Sequence, residues 1–120
     1  MAYKLSTYQD IAMGMTDNFD LAKFVDSINN TQANAVTIGQ ASTLKNNIRD
    51  VLPERVEGET PEGQRLLVYT NRRDKAYIAY AVNYDADEVS QQYNDTARTL
   101  MLIGDISIHR NEYSMVVPAE

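Results

Sequence analysis

The chain has 120 residues, a formal net charge of −6 and no cysteine. The lack of cysteine excludes disulfides, thiolate nucleophiles and cysteine-based zinc sites. The negative charge weighs against a nucleic-acid binder, because such proteins need a basic face. Apolar residues make up 43% of the sequence, and no long apolar run begins it. These features predict one folded domain over residues 1–120, in a soluble cytoplasmic protein with no membrane contact.

A short helix is predicted near the start of the chain. Ser6 and Gln9 have the spacing of a capping box, in which each side chain bonds the other's backbone N–H. The apolar residues that follow are Ile11, Met13 and Met15. Gly14 and Thr16 are expected to end or bend this helix.

The next segment has the strongest helical pattern in the first half. Its apolar residues recur at i, i+3, i+4 and i+7, which places them on one stripe of a helix. They are Leu21, Phe24, Val25 and Ile28. Thr16 or Asp17 is expected to cap this helix, and Asn29-Asn30 to end it. Residues 31–41 give no assignable pattern.

A third helix is predicted over residues 43–52, capped by Ser42 or Thr43. Its apolar side would carry Leu44, Ile48, Val51 and Leu52. Pro53 would end it, because proline lacks the N–H and clashes with the preceding turn. A flexible acidic loop is expected over residues 53–64. Its charged residues are Glu54, Arg55, Glu57, Glu59 and Glu62, which together give −3.

The second half of the chain changes to a strand pattern. Arg65–Thr70 and Lys75–Tyr84 are rich in β-branched and aromatic residues and are separated by Asn71–Asp74, which predicts a hairpin. One face of this hairpin, here called the tyrosine face, would carry Leu67, Tyr69, Ile78, Tyr80, Val82 and Tyr84. The other face would carry Leu66, Val68, Tyr77, Ala79 and Ala81.

A later helix is predicted from about residue 86. Asp85 and Glu88 have N-cap and N3 spacing, and Val89 and Tyr93 continue the pattern. Leu100–Ile103 fits either the last turn of this helix or a strand that leads into a turn at residues 104–105. The helical alternative is preferred.

A second hairpin is predicted at the end of the chain. The segments ISIH and EYSMVV flank Arg110-Asn111 and alternate between apolar and polar residues. Pairing across that turn would place Ile108 opposite Tyr113 on the dry side. His109 would meet Glu112 on the wet side, and Pro118 would end the last strand.

These elements predict an α+β fold, with an antiparallel sheet of two hairpins packed against N-terminal helices and one later helix. The small Ala79 and Ala81 leave room for the stripe of residues 21–28 on the Tyr77 side. The chain has little helix left for the tyrosine face, which is therefore predicted to be a self-association surface. Alternatively, the helices 43–52 and 86–103 cover that face within one chain.

No motif in the sequence specifies a chemistry, so neither a metal ion nor another cofactor is expected. The acidic stretch after Tyr80 contains Asn83, Asp85, Asp87 and Glu88, but Glu88 stands where a calcium loop needs glycine. Helix capping explains these residues better. His109 beside Glu112 can be read as a general base, but a structural cross-strand pair is preferred.

We therefore interpret the chain as a non-enzymatic protein-binding factor that works as a homodimer or larger homo-oligomer. An accessory or inhibitory factor of a virus or mobile element fits this description, and its place would then be the host cytoplasm. Surfaces for another protein are predicted at the basic hairpin tip (Arg72, Arg73, Lys75) and at Glu54, Glu57, Glu59 and Glu62. The alternatives are a structural subunit of a virion or other large assembly, and a small enzyme that uses His109.

Overall fold

The computed structural model describes residues 2–9, 12–15, 19–38 and 41–119. These residues contain the helices α1 (Leu21–Asn30) and α2 (Ala86–Asn94) and a 3-10 turn at Lys45–Asn47. Their strands are β1 (Tyr3–Thr7), β2 (Ala12–Gly14), β3 (Ala35–Ile38), β4 (Ala41–Leu44), β5 (Ile48–Pro53), β6 (Gln64–Thr70), β7 (Tyr77–Ala81), β8 (Leu100–Ile103), β9 (Ile106–His109) and β10 (Tyr113–Pro118). The fold is broadly α+β, as predicted, and consists mostly of antiparallel sheet.

The strands are arranged in two sheets and a separate hairpin. The large sheet has the order β2-β1-β5-β9-β8, and the small sheet has the order β10-β6-β7. The strands β3 and β4 pair only with each other among the described residues. The prediction of one sheet made of two hairpins is therefore wrong in this detail.

The large sheet separates two apolar cores. The core on one face, which α1 covers, contains Leu5, Leu21, Val25, Ile28, Ile48, Val51 and Leu100. The core on the other face, which the small sheet and α2 cover, contains Leu66, Val68, Tyr77, Ala79, Ala81, Val89, Met101, Ile103, Ile106 and Ile108. A strand between two cores is apolar at successive positions, which explains the sequence of β8.

The helix α1 agrees with its predicted stripe but packs elsewhere. Leu21, Val25 and Ile28 are buried, and Asp20 caps the helix by accepting a hydrogen bond from the Lys23 N–H at 3.1 Å. The predicted caps at 16 and 17 lie outside the described residues. The stripe packs on the large sheet rather than on the Tyr77 side, because β8 and β9 already fill that side.

The predicted N-terminal helix is wrong. Residues Tyr3–Thr7 and Ala12–Gly14 are paired strands, with Leu5 opposite Met13. Leu5 and Thr7 are fully buried, whereas Lys4 is exposed. This alternation has the period of a strand, and it outweighs the capping-box spacing of Ser6 and Gln9. Ile11 and Thr16 lie outside the described residues.

The predicted helix over residues 43–52 is also wrong, and a β-bulge explains the error. Ser6 pairs with Asp50 and Thr7 pairs with Ile48, so Arg49 has no residue opposite it. The extra residue reverses the alternation, and Ile48 and Val51 therefore enter the same core. Their spacing of i, i+3 resembles a helix although the backbone is extended.

The helix predicted from residue 86 is confirmed as α2. The Asp85 side chain caps it by accepting a hydrogen bond from the Asp87 N–H at 2.9 Å. The preferred extension of this helix to 103 is wrong, because Leu100–Ile103 is the strand β8. A turn at Gly104, with a φ of 59°, joins β8 to β9.

The predicted hairpin at the end of the chain does not form. The strand β9 pairs with β5 and β8, whereas β10 pairs with β6 in the other sheet. The turn at residues 110–112 therefore crosses between the sheets. Ile108 lies opposite Asp50 and Met101 instead of Tyr113. Local alternation shows that two segments are strands, but it does not show which strands are neighbours.

Side-chain amides from both helices close the outer edge of β8. Asn29 Nδ2 donates to the Leu100 carbonyl at 3.0 Å, and Asn29 Oδ1 accepts from the Thr99 and Leu100 N–H groups at 2.8 Å each. Gln92 Nε2 donates to the Leu102 carbonyl at 2.8 Å, and its Oε1 accepts from the Leu102 N–H at 2.7 Å. Each amide bonds the strand as a neighbouring peptide group would.

Candidate protein-binding face

The β6–β7 hairpin has the predicted register. Leu67 lies opposite Ile78, and Leu66 lies opposite Ala79. The side chains of Leu66 and Ala79 are completely buried, so the inward face of the hairpin is the one that the sequence indicates. The residues on the other face point away from both cores.

The outer face of the small sheet combines side chains from its three strands. Val117 of β10 lies opposite Leu67, which lies opposite Ile78. Met115 lies opposite Tyr69 in the next row. The outer face is defined here as Leu67, Tyr69, Ile78, Tyr80, Met115 and Val117. It is a surface of aliphatic, thioether and aromatic side chains, and the exposed Arg65, which lies opposite Tyr80, brings a positive charge to one end of it.

Neither helix lies on the outer face, because α1 packs beyond the large sheet and α2 packs beside β8. Tyr69 is 36% exposed, Ile78 is 42% exposed and Met115 is 49% exposed. Leu67, Tyr80 and Val117 are half-buried. Side chains of this size in one patch are unusual on a monomer surface.

The structure brings together four of the six residues predicted for the tyrosine face. Val82 lies in the turn after β7 and is 69% exposed, beside the sheet rather than within it. Tyr84 packs against the core between the sheets, so its predicted place on this face is wrong. Met115 and Val117 are the additions that the sequence reading missed, because β10 was assigned to β9.

The free edge of β7 is closed by an ion pair. Arg55 Nη2 donates to the Ile78 carbonyl at 2.9 Å, and Asp105 Oδ1 accepts from the Tyr80 N–H at 3.0 Å. Arg55 and Asp105 also pair with each other, and the Arg55 guanidinium lies 5.0 Å from the centre of the Tyr80 ring. These contacts occupy the backbone groups that another strand would need.

The free edge of β10 is short and interrupted. Because the Ala119 N–H donates to the Arg65 carbonyl at 2.8 Å, the backbone groups of Val116 and Pro118 point away from β6. Pro118 has no N–H to offer, and the register shifts between Tyr113 and Met115. Proline and bulges both disfavour strand addition at an edge.

The basic hairpin tip is partly engaged with the chain itself. The Arg72 guanidinium lies 4.7 Å from the centre of the Tyr8 ring, and its Nε is 3.5 Å from a Glu112 carboxylate oxygen. The Arg73 guanidinium lies 4.1 Å from the centre of the Tyr77 ring. Lys75 is exposed. The two arginines therefore cover the end of the space between the sheets.

The acidic loop occupies residues 54–63, since Pro53 belongs to β5 and Gln64 to β6. Its four glutamates are all exposed: Glu54, Glu57, Glu59 and Glu62. The loop is attached at its start, where the Glu54 N–H donates to the Ala2 carbonyl at 2.8 Å. Arg55, in the same loop, contacts the Tyr80 ring of the outer face.

His109 and Glu112 are both buried, so the predicted wet pair is wrong. Burial lowers the pKa of His109, and the Asn46 backbone acts weakly in the opposite direction. His109 Nδ1 accepts a hydrogen bond from the Asn111 N–H at 3.1 Å. Burial raises the pKa of Glu112, although the positive charge of Arg72 lowers it.

Two tyrosines join the same polar region at the end of the sheets. The Tyr77 hydroxyl donates to Asp50 Oδ2 at 2.8 Å, and burial followed by the charge of Asp50 raises the Tyr77 pKa to about 12. Burial and then the charge of Glu112 raise the pKa of Tyr8 to about 12. These hydroxyl groups therefore remain protonated at neutral pH and act as hydrogen-bond donors.

In the described ranges, no group of three or more His, Asp and Glu side chains is placed to hold a metal ion. Asp85, which the sequence offered as a calcium ligand or a helix cap, caps α2. None of the helices in the described part of the chain is long and apolar enough to cross a membrane. The chain matches no protein-family model, no curated protein and no solved structure.

Proposed function

We propose that the chain is a non-enzymatic protein-binding factor that associates with itself through the outer face of the small sheet. The observation that carries this proposal is the exposed apolar surface formed by Tyr69, Ile78 and Met115, with Leu67, Tyr80 and Val117 beside them. An accessory or inhibitory role, with a second protein as its target, is part of the proposal.

The composition of the face favours a protein interface. Aromatic residues and methionine are enriched at the centres of interfaces, and charged residues are depleted there. Tyr69 and Tyr80 add hydroxyl groups, which tolerate water in a subunit that is not yet paired. The face is thus suited to be exposed in one state and covered in another.

The blocked edges favour face-to-face packing. Arg55 and Asp105 occupy the edge of β7, and Pro118 interrupts the edge of β10. Two copies would therefore pack their small sheets against each other, instead of joining them into one larger sheet. Sheets that pack in this way keep their strands within about 30° of one another.

Sedimentation velocity over a wide range of concentrations tests self-association. We expect the wild type to form a dimer and Ile78→Asp to weaken it by about tenfold or more, because a carboxylate would be buried without a partner. The matched control is Leu44→Asp, since Leu44 is 50% exposed on β4, outside the outer face. Circular dichroism must show that both variants are folded.

The outcomes separate the proposal from its alternatives. A wild type that stays monomeric at all concentrations contradicts self-association. Equal weakening by Ile78→Asp and Leu44→Asp assigns the interface to another surface. An open series of larger oligomers, all lost in Ile78→Asp, favours the assembly subunit over the dimeric factor.

A further inference from the structure

A groove lies beside the outer face, between α2 and the adjoining ends of β7 and β8. It has a volume of about 780 Å³ and is open to solvent. The helix α2 forms one wall, and the end of β7 with the β8–β9 turn forms the other. Its apolar lining includes Ala81, Val89 and Ile103, which belong to the core. Tyr80 and Val82 line the groove as well, so it adjoins the outer face.

The rim of the groove is acidic. Its charged residues are Asp85, Glu88, Asp95, Asp105 and Arg98, which together give −3. Among the described residues, only Asp105 of these four acids forms an ion pair within the chain, with Arg55. Asp85 and Asp95 accept backbone hydrogen bonds, from Asp87 at 2.9 Å and from Ala97 at 3.1 Å, but hydrogen bonds of this kind leave the negative charge in place to attract a positively charged ligand.

Two residues that line the groove, Tyr80 and Asp105, already bind the guanidinium group of Arg55, which itself lies outside the groove lining. Arg55 reaches the Tyr80 ring, the Asp105 carboxylate and the Ile78 carbonyl. An aromatic ring with a carboxylate and a carbonyl beside it is a typical arginine site, because it offers both cation–π contact and fixed acceptors. The Arg55 contact shows that the Tyr80 ring and the Asp105 carboxylate can accept a guanidinium group.

We propose that this groove binds a cationic, amphipathic peptide segment of a protein partner. The exposed Val82 and the half-buried Tyr80 would contact aliphatic side chains, and the rim at Glu88 and Asp95 would bind arginine or lysine. A volume of about 780 Å³ lies near the upper end of the roughly 300–1,000 Å³ range of ligand pockets. That size and the open shape suit several residues of peptide better than a small ion. The inference rests on the proposed protein-binding function and names a site for the second protein.

Fluorescence anisotropy tests the inference with defined probes. The first probe is a labelled amphipathic peptide of leucine and arginine, and the second has glutamate in place of each arginine. We expect the wild type to bind the first probe in a salt-dependent manner and to leave the second free. Failure to bind the arginine probe overturns the inference.

Substitutions on α2 locate the binding. Glu88→Arg is expected to weaken binding of the arginine probe by about tenfold, because the attraction between Glu88 and the probe becomes a repulsion. Glu88 lies in the first turn of α2, where a positive charge also weakens the helix. Gln91→Arg therefore serves as a second variant, since Gln91 is exposed, lines the groove and lies beyond that turn.

Matched controls distinguish the site from general attraction. Asp26→Arg makes the same charge change as Glu88→Arg, but on an exposed position of α1, beyond the large sheet. It should leave binding within about twofold, since distant surface charges are screened. Equal weakening by Asp26→Arg overturns the inference in favour of non-specific attraction to the negative chain. Equal binding of free spermine and the probe overturns the peptide assignment.

Failure of this inference can be told apart from failure of self-association. The Ile78→Asp variant should bind the arginine probe as well as the wild type does, because Ile78 does not line the groove. Loss of probe binding only in the Glu88→Arg and Gln91→Arg variants supports the groove as the binding site, whatever the oligomeric state is. A dimer that binds no probe retains the proposed self-association and refutes the groove.

Discussion

At the scale of single residues, Gly104 is constrained by its backbone and by its surroundings. Its φ is +59°, and a Cβ atom there would lie 2.6 Å from the Tyr80 carbonyl oxygen. Relief of that clash would move the β8–β9 turn away from β7, where Asp105 holds the edge. We therefore expect Gly104→Ala to lower the free energy of unfolding by about 1–3 kcal/mol, as measured by urea denaturation.

The control for Gly104 is Gly14→Ala. Among the residues that the structure describes, and apart from the two chain neighbours of Gly14, no atom lies within 4 Å of a Cβ placed there. The free energy of unfolding should change by no more than about 0.5 kcal/mol. Equal effects at Gly14 and Gly104 would show that the loss of glycine itself, and not the close approach to Tyr80, sets the stability.

At the scale of secondary-structure elements, the two amides on β8 connect both helices to one strand. The Thr99 and Leu100 N–H groups lie on buried residues, and Asn29 accepts hydrogen bonds from both. Asn29→Ala leaves these donors without a partner, which should cost about 1–3 kcal/mol of unfolding free energy. Gln92→Ala should act in the same direction through Leu102. Hydrogen exchange of the three amides measures the effect locally.

Neighbouring residues of the same type provide the controls. Asn30 and Gln91 are exposed and adjoin Asn29 and Gln92. Asn30→Ala and Gln91→Ala are expected to change the unfolding free energy by no more than about 0.5 kcal/mol. If the Asn29 and Asn30 variants behave alike, the hydrogen bonds to β8 contribute no net stability.

Elements defined by local rules could be predicted from the sequence. The apolar spacing in α1 and the Asp85 cap of α2 depend on residues within one or two turns. The side chains of β6 and β7 that share a face can be identified because they alternate along each strand and because the connection between the strands is short. The helix prediction for residues 43–52 is wrong because the bulge at Arg49 gives a strand the apolar spacing of a helix. The Arg49 bulge depends on pairing with β1, about forty residues earlier in the chain, and no local pattern reports it.

The outer face likewise contains residues that local sequence patterns predict and residues that they do not. Leu67, Tyr69, Ile78 and Tyr80 could be placed on one face from alternation within the hairpin. Met115 and Val117 could not, because β10 pairs with β6 across more than forty residues. The alternation of EYSMVV indicates a strand with one apolar face. It is equally compatible with β6 and β9 as neighbours, and only the packing of the two sheets decides between them.

At the scale of the whole molecule, Glu112 and His109 couple folding to pH in opposite directions. Burial raises the pKa of Glu112 above 4.5, against the lowering effect of Arg72 and Arg49. At pH values between 4.5 and the folded pKa of Glu112, Glu112 keeps its proton in the folded state but has released it in the unfolded state. The contribution of Glu112 to stability is therefore complete below 4.5 and is lost as the pH rises through its folded pKa.

His109 has the opposite sign. Burial lowers its pKa below 6.5. As the pH falls below 6.5, the unfolded state binds a proton that the folded state does not. The unfolding free energy should therefore fall with decreasing pH, until the folded histidine is also protonated. Each group can change the slope by at most about 1.4 kcal/mol per pH unit, the value for one proton.

Urea denaturation at a series of pH values from 4 to 8 separates the two groups. Relative to Glu112→Gln, the wild type should lose stability as the pH rises, because glutamine has no proton to release. Relative to His109→Gln, the wild type should gain stability as the pH rises towards 6.5. Glu59→Gln is the control, since Glu59 is exposed and should leave the slope unchanged. If both buried variants give slopes of the same sign, burial does not set the direction of the pKa shift at one of the two groups, as would happen if the charges of Arg72 and Arg49 outweighed burial at Glu112.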